Sequence, residues 1–317
     1  NAPDSEMTMP LAFETASRLW RDRVMEAPDY SVIKNDRHFM AGISGSPVLE
    51  SEYREIQRFK HMLLQRYRDT PLEVLFPGYT IETAEGPVYC ITRRHGIRLP
   101  KSDPVRVRRQ LEADLTLVFG IGKQKERDLK RKGYRTIPDL LQHRRFGEPA
   151  RAALRVLREG TAAEVLSLVS RWHPVSDPRC LSTAGLYREG QFLFLDLETL
   201  GLSQRPVILI GLAFVEGDRL VTCQYLVRCM EEELPALLAT KDCLSREKVL
   251  VTYNGRSFDV PYLVERYAMY GEDCGIHNPH YDLLHPSRRR WRDSFPDCRL
   301  STLEQELFSI HRQEDVP

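Results

Sequence analysis

Gln191-Phe192-Leu193-Phe194-Leu195-Asp196-Leu197-Glu198-Thr199-Leu200-Gly201 runs four apolar residues into an aspartate, adds one more, and reaches a glutamate. An unbroken Phe/Leu run of this kind reads as a buried strand rather than a half-exposed one. Residues two apart on a strand point to the same face. Asp196 and Glu198 are therefore expected to share one side at the strand's carboxyl end, with Leu195 and Leu197 buried on the other. Two carboxylates this close repel and raise each other's pKa unless a cation lies between them. Hard oxygen donors suit Mg²⁺ or Mn²⁺. Taken alone, the pair also fits a strand end with two solvated acids.

Downstream, Val207–Val215 and Leu220–Val227 are further apolar runs. Gly201–Gln204 and Glu216–Asp218 make the short connections that antiparallel neighbours require. Glu231–Thr240 predicts a helix, Lys248–Asn254 a buried strand, and Phe258–Tyr270 another helix. The last of these strands ends in Asn254-Gly255-Arg256-Ser257-Phe258-Asp259. Gly255 is expected to permit the sharp turn, and Asp259 to fall in the helix's first turn, where an acid commonly balances the dipole. Strand meander, helix, strand and helix give an α/β layout in the ribonuclease-H-like order.

Asp-x-Glu-Thr-x-Gly on a first strand, followed by Asn-Gly-x-x-Phe-Asp after a Val/Leu strand, resembles the first two motifs of the DEDD (DnaQ-type) 3′→5′ exonucleases of the ribonuclease-H-like superfamily, and among them the bacterial YprB-like branch. The resemblance covers Phe192–Pro317, with the region upstream a looser fit. It implies a mixed sheet of three antiparallel strands plus parallel strands, flanked by helices; the helical spacing upstream adds a mostly helical N-terminal domain. It also implies hydrolysis of DNA or RNA phosphodiester bonds with two divalent metals, Mg²⁺ or Mn²⁺, held by Asp196, Glu198 and Asp259. Such a metal pair activates a water and stabilises the leaving oxygen. His280–Leu284 corresponds to the family's Asp-Leu-Leu strand end, which makes Asp282 chiefly architectural, though near enough to be a candidate metal ligand. Asn254 is a candidate for orienting the substrate or the turn. His277 and Asp282 have the spacing of the family's third motif, but they follow Asp259 too soon and precede the expected helix at Leu300, so that match is rejected. The family's last helix and fourth carboxylate have no counterpart up to Pro317. Either the chain continues or it departs from the family.

Upstream, Leu117-Val118-Phe119-Gly120-Ile121-Gly122-Lys123 sets two glycines around one apolar residue ahead of a helix-forming run. Gly133 is placed to cap that helix, and Thr136 to open the next with Pro138 in its first turn. The pattern resembles the helix-hairpin-helix module. Glycines let a backbone approach phosphate, and free N–H groups at a helix start bind anions. Residues 123–135 carry seven Lys/Arg against two acids. Gly120, Gly122, Lys123 and Lys125 are thus candidates to hold a nucleic-acid backbone without reading sequence. A plain turn with a solvated basic face, or a module kept for protein packing, fits the same residues. In His285–Arg292, the densest basic-aromatic cluster, Arg288 and Arg292 share a helical face that meets either phosphate or solvent. Trp291 is expected in the core, with stacking on a base as the other reading.

The rest is read more coarsely. Residues 11–26 and 51–68 have helical spacing. Two alternating runs between Gly78 and Ile91 flank Ala84–Pro87 and predict a hairpin, followed by a solvated basic loop at His95. A capping box at Thr161–Glu164 extends the helices to Trp172, and Trp172–Gly190 loses all period. The expected division is 1–110, helical with a β-hairpin; 111–172, the helix-hairpin-helix-like module; 173–190, a linker; and 191–317, the nuclease domain. With 46 basic and 45 acidic residues, any nucleic-acid footprint has to be local. Seven scattered cysteines without a C-x-x-C pair argue against a disulfide framework or zinc site, and for reduced thiols in the cytoplasm. No apolar run reaches a membrane span, and Asn1–Pro10 lacks the signal-peptide pattern. Oligomeric state is left open. The competing class is a non-catalytic nucleic-acid-binding or scaffold protein on the same fold. A structure-specific endonuclease is a third reading.

Overall fold

The computed structural model describes residues 61–100, 102–200, 205–244 and 247–312. The expected helix over 11–26, residues 51–60 of the next, and the Gly201–Gln204 connection lie outside the described residues. Residues 61–67 are helical, as expected, and a short helix follows at Leu72–Leu75. Tyr79–Arg228 and Glu232–Ile310 form one compact unit, to which everything below belongs.

Its strands are β1 (Tyr79–Thr83), β2 (Gly86–Gly96), β3 (Phe192–Thr199), β4 (Val207–Glu216), β5 (Arg219–Leu226), β6 (Val249–Thr252) and β7 (His280–Asp282). They make one seven-stranded sheet of order β1-β2-β5-β4-β3-β6-β7. β3, β4 and β5 form the predicted antiparallel meander, and β6 and β7 add in parallel on the other side of β3. Helices Glu233–Cys243 and Asp259–Met269 contribute Leu237, Leu263 and Tyr267 to the core cluster that holds Leu193, Leu195 and Leu197. This is the expected α/β, ribonuclease-H-like architecture.

Two readings change. The predicted hairpin forms, but β2 runs on to Gly96 and pairs along β5. His95 was expected in a solvated loop; it sits opposite Leu220 in this ladder. Without β2, the outer edge of β5 would present unpaired N–H and C=O groups. The second correction concerns β3, whose burial alternates. Leu193, Leu195 and Leu197 are buried, whereas Phe194, Asp196 and Glu198 are exposed. Phe194, 40% exposed, lines an apolar cavity of about 720 Å³ with Phe192, Ala213 and Val215. A run of apolar residues says that neither face is polar, not that both are covered.

The helix that begins at Asp259 is anchored by a buried ion pair. Arg266 Nε lies 2.7 Å from Glu233 Oε1 and a second nitrogen 2.5 Å from Oε2. The Tyr270 hydroxyl and the Val207 N–H also donate to Glu233, at 2.7 and 2.9 Å. Such a pair is tolerated because its lone pairs are satisfied, and removing one partner leaves a buried charge.

A second core gathers Leu115, Leu117, Val118, Ile121, Leu129 and Leu157 from the hairpin region. Gly133, at φ +96°, closes helix Lys123–Arg131, and the Tyr134 N–H donates to the Leu129 carbonyl at 3.1 Å. This is the predicted left-handed cap. Thr136 opens the next element through a capping box with Asp139, but that element is a single 3₁₀ turn, Ile137–Leu140. The α-helix starts only at Gly147 and ends at Glu159. Thr161 and Glu164 form the expected capping box of helix Ala162–Trp172. Trp172–Gly190 has no period because it folds as short helical turns, Pro178–Ser182, Thr183–Leu186 and one starting at Glu189. These are pinned on both sides. Asp114 lies 2.8 Å from His173 Nε2 and 2.9 Å from Arg179 Nε, and the hydroxyls of Thr183 and Tyr281 lie 2.6 Å apart.

Candidate active site

The two-residue repeat of β3 carries Asp196 and Glu198 to one exposed face, as the sequence predicts. Across the ladder Asp196 faces Gly211 of β4. A Cβ at Gly211 would meet Asp196 at ordinary contact distance, 3.5 Å from its carbonyl oxygen and 3.9 Å from its Cβ.

Asp259 arrives from the other direction, as the first residue of the helix after β6. It is 4% exposed, and its Oδ1 accepts the Leu197 N–H at 2.9 Å, from the residue between the two β3 acids. Burial, and then the negative charge of Asp196, push its pKa up to about 7 against the opposing pull of its backbone hydrogen bonds. Near neutral pH this carboxyl is therefore poised between its two forms.

Asp282, at the end of β7, is used differently. Oδ1 accepts N–H groups from Asn254 at 2.8 Å and Leu284 at 3.1 Å, and Oδ2 accepts that of Arg256 at 3.0 Å. Two of these main-chain donors, on Asn254 and Arg256, tie this carboxylate into the turn after β6, in keeping with an architectural role. Gly255 permits this turn by leaving space, since a Cβ there would lie 2.5 Å from Thr252. The left-handed residue of the turn is Asn254, at φ 67°, a conformation asparagine tolerates better than most. Thr252 Oγ1 is in turn 2.8 Å from His280 Nε2, and burial followed by the Arg256 charge lowers the His280 pKa to about 4.

Asp196 and Asp259 are thus within electrostatic reach, Glu198 shares the face of Asp196, and Asn254 and Asp282 build the turn from which Asp259 starts. The donors fit a hard divalent cation, being all oxygen and set in a repulsion that a cation would relieve. Among the described residues, no group of three or more His, Cys, Asp or Glu is gathered closely enough to hold a metal ion.

The basic candidates lie on other elements. Gly120 takes φ +84°, and Gly122 caps helix Lys123–Arg131 without a side-chain hydrogen bond. Lys123 and Lys125 are exposed, with Lys125 Nζ donating to the Gly120 carbonyl at 2.9 Å. Arg288 and Arg292 lie a turn apart and exposed at the end of helix Leu284–Trp291. Trp291, expected in the core, is half-buried and stacked on Phe295 with ring centroids 6.3 Å apart.

Arg266 escaped the sequence reading. Arg266 stands seven residues after Asp259, on the buried helical face, where a charge is rarely found without a partner. That was a usable signal for a pair, though not for its partner Glu233.

Residues 193–317 match the family model described as RNase_H superfamily. This part of the chain is an RNase H superfamily domain. More particularly, the chain is 31% identical over 167 residues to Uncharacterized protein YprB of Bacillus subtilis (strain 168), a match covering 49% of this chain and 38% of that protein. It is also 31% identical over 137 residues to DNA polymerase 1 of Pyrococcus abyssi, covering 38% of this chain and 17% of the polymerase. The chain therefore spans well under half the length of either relative. Among the described residues no helix is long and apolar enough to cross a membrane.

Proposed function

We propose that the chain is a divalent-metal-dependent 3′→5′ exonuclease of the DEDD kind, acting on DNA or RNA. The observation that carries this reading is Asp259, a buried carboxyl seated on the N–H between Asp196 and Glu198 and raised to about 7 partly by the charge of Asp196. Holding two carboxylates this way opposes folding, and a cation between them converts the repulsion into affinity.

Asp196, Glu198 and Asp259 would hold Mg²⁺ or Mn²⁺, whose contribution is Lewis acidity toward a phosphodiester. The remaining work falls to the chain. Asp196 and Glu198 face the surface, where a strand end can arrive. Asp282 and Asn254 set the turn that aims Asp259. Gly120, Gly122, Lys123 and Lys125, with Arg288 and Arg292, supply phosphate contacts. The superfamily match and the partial likeness to a protein named as a DNA polymerase support a nucleic-acid substrate, and seven free thiols fit the cytoplasm.

The test is digestion of 5′-labelled recessed and blunt DNA duplexes and a single-stranded RNA in Mg²⁺, Mn²⁺ or EDTA. The expected result is stepwise shortening from the 3′ end with metal, none in EDTA, and loss of the activity in Asp196→Asn. Cleavage within circular DNA would make the protein an endonuclease instead. Binding without hydrolysis in either metal would favour a non-catalytic nucleic-acid-binding protein on the same fold.

A further inference from the structure

Beside the glycine hairpin lies an apolar feature for which phosphate binding has no use. Val118 and Ile121 are buried, yet Phe119 between them is 73% exposed, more than any other large hydrophobic side chain among the described residues. The turn itself holds it out. Val118 is extended and anchored in the core, Gly120 reverses the chain at φ +84°, and Ile121 re-enters the core. Phe119 is left with only the outward direction.

A second ring stands against it. Trp172, the last residue of helix Ala162–Trp172, is 39% exposed, and its ring centroid lies 6.1 Å from that of Phe119, with the planes inclined at 58°. The next residue, His173, is buried against Asp114, which fixes the helix end that presents the indole. The two rings come from separately anchored elements, so their arrangement is preformed.

Charge selects the occupant. Exposed Lys123 and Lys125 follow Phe119 on the hairpin, and exposed Arg171 precedes Trp172. A hydrophobic peptide would gain nothing from these cations. Duplex nucleic acid would satisfy them but keeps its base faces inside the stack. A single strand offers both phosphates and flat apolar faces, the combination that aromatic side chains set in a basic groove recognise.

We propose that Phe119 and Trp172 form a stacking platform for unpaired bases, so that the hairpin engages single-stranded nucleic acid in preference to continuous duplex. The proposal rests on the reading of the hairpin as a phosphate-binding element.

The full chain would be titrated, in EDTA so that no strand is cut, with a short oligothymidylate, an abasic strand of equal length and a duplex, each at several salt concentrations. Phe119→Ala and Trp172→Ala should each weaken oligothymidylate binding about 5- to 100-fold, leaving abasic and duplex affinities and the salt slope unchanged. Phe119→Tyr should restore binding, and equal melting temperatures would exclude misfolding. Lys123→Ala with Lys125→Ala should instead lower the salt slope for all three ligands. If wild-type protein binds abasic strand and oligothymidylate equally, the platform is overturned and the phosphate reading survives. If the lysine variants keep the full salt slope, the phosphate reading fails, while preference for the base-bearing strand remains separately measurable.

Discussion

The acidic cluster at the carboxyl end of β3 and the basic hairpin hold their charges by opposite means. In the cluster, one carboxyl is buried against the charge of another, and nearby a fully buried Arg266–Glu233 pair secures the helix that starts at Asp259. On the hairpin, the cations lie along an open nine-residue helix, in surface pairs such as Lys130 with Glu126 and Arg131 with Asp128. Buried charge is scarce, costly and tied to one geometry. Exposed charge is plentiful, and each pair contributes little to stability. A mutation in the acidic cluster should therefore disturb chemistry or fold sharply, whereas one on the hairpin should change binding alone.

The largest difference should come from the β3 acids. Asp196→Asn is expected to lower hydrolysis by about 10³-fold or more, as losing a preorganised charged group does, and to weaken Mn²⁺ binding by calorimetry. DNA binding in EDTA should hold or improve, since a negative charge is removed. Wild-type Mn²⁺ affinity in this variant would end the ligand assignment.

Next in size is the buried pair. Arg266→Ala strands Glu233 in the core and should cost about 3–5 kcal/mol in urea unfolding. Arg131→Ala on the hairpin helix should stay within about 0.5 kcal/mol. Similar losses at the two sites would erase the contrast.

The third prediction is a pH dependence. The Asp259 pKa is raised from an ordinary value near 3.8 to about 7. Between those values the folded chain binds more protons than the unfolded one, so stability should fall as pH rises from about 4 to about 7. The slope is at most about 1.4 kcal/mol per pH unit. Melting curves in EDTA should show this decline, Mn²⁺ should offset it at the upper end, and Asp259→Asn should remove it. A rise in stability attributable to Asp259 across this window would contradict its environment.

The smallest effect belongs to the hairpin. Lys123→Ala with Lys125→Ala should reduce the slope of log affinity against log salt by up to about one unit for each phosphate no longer neutralised. Unfolding free energy should move by no more than about 0.5 kcal/mol.

What could be read from the chain alone was whatever is decided within a few residues. The shared face of Asp196 and Glu198 follows from the strand's repeat, the caps at Gly133 and Thr161 from hydrogen bonds a turn away, and the basic helix from its composition. Asp259 could be placed in the first turn of its helix, but not upon the Leu197 N–H. Tertiary structure decided the rest. It left the Phe194 face open, drew β2 and His95 into the sheet, and paired Arg266 with Glu233. It also put Asn254 in the left-handed conformation and tied that turn to Asp282 of another strand. The physical reason is common to all of these. Side-chain direction and capping are local, whereas which face is covered, which charge finds a partner and which carboxyl loses its water depend on segments far apart in sequence.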